Sequence, residues 1–489
     1  VTQPALVGID LGTTHIKAGA FTLEGRLIAR AERPTPTLRL PDGGAEYEPE
    51  ALYTLTLEVL GEVITHDLEV LGVGVASMAE AGVLVGIDGA TRGNALAWFD
   101  PRSHTQAAQL LERFGVRPFY ARSGVVPSAK HGLSKLLWLR DERGVTLEGA
   151  TWLHLAEYVA WRLTGERATT PTLAARTLAY DLERKAFDAA LLDALELPNT
   201  LFPRLEEEGA TVGHARGTPF PALEGVAVTI AGHDHPCAAL GAGVVQPLEA
   251  LVSTGTAEAV LGVMDAPRLD GTALERRINQ GPLPVPGLCA LQAGASMSGG
   301  GVEWLRGAVL DASWDELEAL LENSTSPTGL LWLPHLAGSG APSPQPLMRG
   351  TLTGFTPGTT RGQLARAALE GSAFELRRML EGLEDVLDSR FAHITVTGGH
   401  TRSRAWTQLK ADALGRPLEV LTMPEATLLG AALLGGVAGG VYTDALQASS
   451  RVQRGTRTLE PTESADRLEP WFQKYLRLHA TMLEFSETT

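Results

Sequence analysis

A carboxylate, two hydroxyls and two glycines meet near the start of the chain, in Gly8-Ile9-Asp10-Leu11-Gly12-Thr13-Thr14. An apolar run ends in Asp10, a Gly-Thr-Thr turn follows, and a second strand-like run leads through Ile16 and Lys17 to Phe21. The spacing predicts a β-hairpin whose tip offers backbone N–H groups and hydroxyls beside an aspartate. Polyphosphate with Mg²⁺ needs those parts: donors for phosphate oxygens and a carboxylate near the metal, usually through water. The turn lacks the spacing that ends a Walker loop in Gly-Lys-Ser/Thr. Taken alone, such a hairpin is more often purely structural, and its weight comes from what lies downstream.

A second carboxylate stands at a strand–helix junction. Val226 to Ala231 reads as a buried strand, running through Gly232-His233-Asp234-His235-Pro236 into a small-residue helix at 237–243. An aspartate in that place is held rigidly and can face a cleft as a proton acceptor. By position alone, a helix N-cap accounts for it equally well. His233 and His235, at i and i+2, would not share a helix face, which argues against a metal pair.

The elements that must position these groups alternate. Strands are expected at 5–10, 16–22, 26–31, 70–76 and 82–87, and helices at 52–65, 106–114 and 134–141. A second hairpin, 248–253 and 258–264 around Thr254-Gly255-Thr256, echoes the first. Helices follow at 297–308, 314–322 and 361–386, then a strand at 393–397 broken by Gly398-Gly399, and helices at 404–414 and 425–439. A final helix at 466–485 carries Leu468, Phe472 and Tyr475 and should dock on one of the halves. Two opening hairpins in mixed strand–helix order point to two related α/β halves with a ligand cleft between them.

Composition bounds the rest. The chain has 489 residues, too many for one core. Its net charge of −16 argues against nucleic acid and an anionic membrane surface as partners. No apolar run reaches membrane-spanning length, and no export signal is expected. Cys237 and Cys289 cannot form a disulfide framework, and reduced thiols in a cytosol are the simplest reading.

Seven pieces, in order, resemble the FGGY carbohydrate kinases, within the larger group that includes hexokinase, Hsp70 and actin. The opening segment at 8–14 is similar to the family's first phosphate motif. Lys135-Leu136-Leu137-Trp138-Leu139-Arg140-Asp141-Glu142 resembles the end of its first signature, although Lys130 and Gly132 stand where other types are usual. Gly350 to Phe355 and Gln363 to Glu370 resemble the second signature, with Phe355 unusual. Thr254-Gly255-Thr256 sits where the second phosphate hairpin lies. Gly398-Gly399, Ser403, Trp406, Ala411-Asp412 and Leu414 to Pro417 resemble the adenosine segment, and Glu425-Ala426 with Gly430-Ala431-Ala432 the usual ending.

The resemblance implies two RNase H-like, actin-like ATPase domains with mixed sheets flanked by helices and an interdomain active site. The expected division is 1–245 for sugar binding and the base, 246–450 for the nucleotide, and 451–489 for a tail and docking helix. It implies ATP and Mg²⁺, a small sugar substrate, a cytoplasmic setting and a homodimer. Asp234 becomes the catalytic base. Asp10 faces the metal, and Gly12, Thr13, Thr14 and Thr256 meet phosphates, with Lys17 adding charge or standing as an exposed strand lysine. Gly299 and Gly300, at a turn before Trp304, pack near the nucleotide. Gly398, Gly399 and Ser403 approach its adenosine end. Trp304, Trp138 and Trp406 are expected to be core anchors.

For the sugar, Glu80 and Asp100 supply acceptors for vicinal hydroxyls, and Met78 and Trp98 a wall for C–H faces, with Ala79 between and His233 touching hydroxyls. A loop or core role is the competing reading for each. The stretch at 77–80 does not match the family's glycerol or xylulose patterns. A His before the Asp is similar to members acting on deoxy-ketoses. The expectation is phosphorylation of a terminal hydroxyl of a ketopentose or ketohexose, with a glycerol- or erythritol-type polyol kinase as alternative. A nucleotide-switched binding protein of the Hsp70 or actin kind would need a peptide or polymer surface. A silent sugar sensor would not need Asp10, Thr256 and Asp234 together. A dinucleotide oxidoreductase would need a Gly-x-Gly-x-x-Gly turn.

Overall fold

A computed structural model describes residues 2–269 and 271–487. The first hairpin forms as expected: Gln3–Leu11 pairs antiparallel with His15–Phe21, which pairs antiparallel with Leu27–Pro34. Leu68–Ser77 then adds parallel to Gln3–Leu11, and Ala227–His233 adds parallel to Leu68–Ser77. With the short Gly213–His214 this makes a six-stranded sheet. The apolar alternation fails in Gln3–Leu11 because both faces are covered: its last seven residues are all buried.

The second sheet repeats the plan. Glu249–Thr254, Glu258–Met264 and Cys289–Ala295 form the antiparallel meander, and His393–Gly398 and Leu418–Leu421 add in parallel. Asn279–Pro282 and Thr456–Leu459 close its edges, giving seven strands. The resulting fold is the expected pair of actin-like lobes with mixed sheets and flanking helices. A five-stranded sheet is inserted in the first lobe, and its strands Gly82–Gly86 and Ala95–Leu96 carry the loops that hold Glu80 and Trp98.

One helix crosses the expected division. Ala426–Ala438, assigned by sequence to the nucleotide half, packs on the first sheet and on the helix Asp234–Ala242. Small residues allow the approach. A Cβ on Gly74 would lie 1.8 Å from the Ala431 carbonyl oxygen, and one on Gly8 2.0 Å from that of Leu428. The helix is apolar all round, as a helix buried on every side must be. The last helix, Ser464–Glu487, docks on the second lobe, with Phe472 and Tyr475 against Phe374 at 5.9 and 5.6 Å between ring centroids. Among the described residues, no helix is long and apolar enough to cross a membrane.

Candidate active site

The first hairpin turn places Asp10 at the carboxyl end of a central strand. Its carboxyl is pushed up to about 8, first by burial and then by the nearby charge of Asp234, against a pull from Lys17. Its Oδ1 is buried with no hydrogen-bond partner. Gly12 closes the turn, its N–H donating to the His15 carbonyl at 3.0 Å. Thr13 joins the turn to Trp98 and Met78: its hydroxyl accepts from the Trp98 indole N–H at 3.0 Å and reaches Met78 Sδ at 3.8 Å. Thr14 stays at the tip, 3.2 Å from its neighbour His15. Lys17 is neither free nor simply exposed. It pairs with Glu425 at 3.0 Å, and Glu425 also holds Arg30 at 2.9 Å.

Asp234 opens the helix Asp234–Ala242 as its first residue, with His233 in the capping position. Its Oδ1 accepts the His235 N–H at 2.7 Å and lies 3.2 Å from His233 Nε2. Burial works to raise the Asp234 carboxyl, but His235 and then His233 outweigh it and hold it below the ordinary value. The side chain is one quarter exposed. The strand end is fixed from behind: the His233 N–H donates to Thr172 Oγ1 at 3.0 Å. Gly232 is required there, because φ is +92° and a Cβ would lie 2.1 Å from that same hydroxyl. Among the described residues no group of three or more His, Cys, Asp or Glu is placed to hold a metal, and the His233 and His235 rings meet edge to face with centroids 5.6 Å apart.

The wall of side chains expected to face a sugar is built around an ion pair the sequence did not reveal. Arg176 Nε donates to Glu80 Oε1 at 2.8 Å, with both side chains buried. Burial pushes the Glu80 carboxyl up, yet Arg176, Lys130, His131 and His233 together hold it well below the usual carboxylate range. Glu80 has φ +61°, a left-handed backbone that costs a non-glycine residue energy and often marks a functional position. Lys135, from the resembled signature, is buried with its Nζ on the carbonyl oxygens of Glu80 at 2.6 Å and Ala97 at 2.7 Å. It clamps the loops of Glu80 and Ala97 together. Burial holds it down to about 7.

Asp100 does not join this wall. Its Oδ2 accepts from the Ala45 N–H at 2.9 Å and Arg102 Nη2 at 2.7 Å, and its Oδ1 from the Arg102 N–H at 3.0 Å. Those bonds consume the acceptors expected to serve a sugar, and only 3% of the residue is exposed. Arg102 in turn lies 4.5 Å over the Trp138 ring.

On the second lobe the expected segments gather around the second hairpin. The Gly299 N–H donates to the Gly255 carbonyl at 3.2 Å, and the Gly300 N–H to that of Thr256 at 3.0 Å. Gly299 and Gly300 lie in the first turn of the helix Ser298–Trp304, ahead of Trp304 and inside the helix expected at 297–308. Gly398 has φ +101°, and a Cβ there would lie 2.1 Å from the Thr254 carbonyl oxygen, while Gly399 has only Arg402 within reach of a Cβ. The Ser403 hydroxyl is engaged as a helix cap, accepting the Trp406 N–H at 3.4 Å. Trp138 and Trp406 are buried, but Trp304 is 43% exposed and stacks on Trp332, because its helix faces outward at that position.

A cleft of about 790 Å³ is lined by Thr13, Met78, Ala79, Glu80, Trp98, His233 and Asp234 from the first lobe. Residues 257–261 and 292–296 of the second lobe form the opposite wall. Lys130 and Arg176 line it too. The unusual type at position 130 was the only sign of Lys130, and Arg176 sits in a short turn with no motif around it.

Two family models match most of the chain. The N-terminal domain of the FGGY family of carbohydrate kinases matches residues 5–241, and the C-terminal domain of the same family matches residues 250–439. The chain belongs to the FGGY carbohydrate kinases. This kinase is 31% identical to a glycerol kinase of Gloeobacter violaceus over 448 residues, covering 90% of this chain and 89% of that one. It is 28% identical to the L-fuculokinase of Escherichia coli over 482 residues, covering 96% and 99%. A gluconate kinase from Lactobacillus acidophilus shares its fold with a TM-score of 0.90 at 21% identity, covering 99% of each chain. A xylulose kinase from Rhodospirillum rubrum gives 0.87 at 26%, covering 99% of this chain and 100% of that one. FGGY kinases use ATP as phosphate donor, and the kinases similar to this chain act on small sugars or polyols.

Proposed function

We propose that this kinase transfers the γ-phosphoryl group of ATP to a terminal hydroxyl of a ketopentose or ketohexose, with Asp234 as base. The observation that carries this reading is the placement of an ionised Asp234 on a two-lobed cleft that also holds Thr13 and the Glu80–Arg176 pair. Asp234 takes the proton of the attacking hydroxyl, the hydroxyl oxygen bonds to the γ-phosphorus, and the bond to the β,γ-bridging oxygen breaks, leaving ADP. Phosphoryl transfer asks little covalent work of the protein and much positioning, which two rigid strand ends supply.

Both contacts from Arg176 fall on Glu80 Oε1, leaving Oε2 as an acceptor for sugar hydroxyls. Lys130 and Arg176 donate to the same sugar, Met78 and Trp98 cover its C–H faces, and Thr13 marks the boundary with the phosphates. Closure of the lobes excludes water, so that ATP is not hydrolysed in place of transfer. The unpartnered, buried Oδ1 of Asp10 fits a hydrated Mg²⁺ arriving with the nucleotide, since one carboxylate with phosphate oxygens is a usual Mg²⁺ donor set. Such an ion would neutralise phosphate charge.

A polyol of the glycerol kind is the second reading, favoured by the identity with the Gloeobacter violaceus glycerol kinase. A coupled ADP-release assay over a panel of ketoses and polyols, compared with the sugar-free background, separates the two. A rate that exceeds background with no sugar or polyol of the panel would remove the proposal.

A further inference from the structure

Glu258 and Lys410 form an ion pair with both side chains almost fully buried, at 0% and 1% exposure. They come from distant parts of the second lobe. Glu258 begins the return strand of the second hairpin, directly after the turn at 254–257. Lys410 lies on the helix Arg404–Leu414 that follows Gly398-Gly399. A buried pair is seldom worth its desolvation as a source of stability, and its best-attested role is to fix one arrangement of the parts it joins.

The parts joined here are three. Glu258 Oε1 takes Lys410, and Glu258 Oε2 accepts the Ser298 hydroxyl at 2.7 Å. Ser298 opens the helix whose next two N–H groups, those of Gly299 and Gly300, bond the Gly255 and Thr256 carbonyls. Ser298 is itself 2.7 Å from Ser372 of the long helix Arg361–Leu387. On the other side, Lys410 Nζ lies 5.6 Å from the Trp406 ring centroid, and Trp406 stacks on His400 with centroids 3.9 Å apart. His400 reaches back to the same place: a Cβ on Gly299 would lie 2.1 Å from its Nε2. The second hairpin turn, the glycine-started helix and the Gly398–Trp406 segment thus close a ring on one buried carboxylate.

We infer that Glu258 and Lys410 are positioning residues that hold the three nucleotide-facing segments of this kinase in one register. The inference rests on the reading that these segments receive ATP. Neither side chain need touch the nucleotide. Their effect falls on nucleotide affinity more than on the sugar, whose proposed contacts at Met78, Glu80, Trp98, Lys130 and Arg176 belong to the other lobe.

The test uses the full chain carrying Glu258→Gln with Lys410→Met, which removes both charges and keeps a bond to Ser298. Thermal melting checks folding, calorimetric titration measures ATP affinity, and steady-state rates give KM for ATP and for the sugar. The expected result is a folded double variant with ATP affinity weakened about tenfold and sugar KM within about twofold. A folded double variant that binds ATP as the parent does overturns the inference. Should the double variant not fold, Lys410→Arg decides: the charge persists but the short contact changes, so ATP KM rises alone if the inference holds and stays constant if it fails. Absence of ATP binding by the parent chain would sink the nucleotide reading itself, a result distinct from either.

Discussion

Asp10 and Asp234 leave the same end of one sheet from strands that flank a single shared neighbour. Asp10 pairs with Ala76 of Leu68–Ser77, and Gly232, two residues before Asp234, pairs with the same Ala76 from the other side. The two carboxyls are driven apart in protonation, with Asp10 pushed up to about 8 and Asp234 held below its ordinary value. Two carboxyls whose surroundings push them in opposite directions suit the different roles proposed for them, Asp10 toward a cation and Asp234 toward a proton.

Replacing Asp234 by Asn should lower kcat by about a thousandfold while leaving the thermal midpoint and ATP affinity close to those of the parent. Stopped-flow ADP release and nucleotide titration check both halves. Near-parental turnover would assign the base elsewhere.

Asp10 gives a pH signature. Its folded-state pKa lies above its unfolded one, so the chain loses stability as pH rises from about 4 toward about 8, where the buried carboxyl must ionise. Asp10→Asn escapes that cost. The variant should therefore be more stable than the parent in denaturant titration by an amount that grows from pH 5 to pH 8, reaching on the order of a few kcal/mol, while its activity is lost. A stability gap that does not depend on pH would contradict the burial of this carboxyl.

Arg176→Met strands Glu80 as a buried charge without its closest partner. Stability should fall by about 3–5 kcal/mol in denaturant titration near neutral pH. Because Arg176 holds the Glu80 carboxyl low, the loss should shrink as pH falls and Glu80 protonates. In whatever fraction folds, the sugar KM should rise with the ATP KM unmoved.

Asp100→Ala separates structure from binding. It frees the Ala45 N–H and Arg102, so a loss of about 1–3 kcal/mol is expected, with the sugar KM within about twofold of the parent. A selective rise in sugar KM would return Asp100 to the binding wall.

Much of this kinase is written in local patterns. The hairpins and the strand–helix junction around Asp234 follow from runs of apolar residues broken by Gly and Thr, and the backbone obeys such signals over a few residues. The strand nevertheless runs on to His233 and the helix starts at Asp234, where the pattern predicts 226–231 and 237–243. Repetition of the hairpin also announced two similar lobes. The tertiary structure decided what those patterns could not: that Glu80 meets Arg176, 96 residues away, that Asp100 spends its oxygens on Arg102 and Ala45, and that Ala426–Ala438 belongs to the first lobe's packing. Long side chains and small-residue helices choose partners by which loops and faces arrive beside them. That choice depends on distances set by the whole fold, and no short window of sequence contains them.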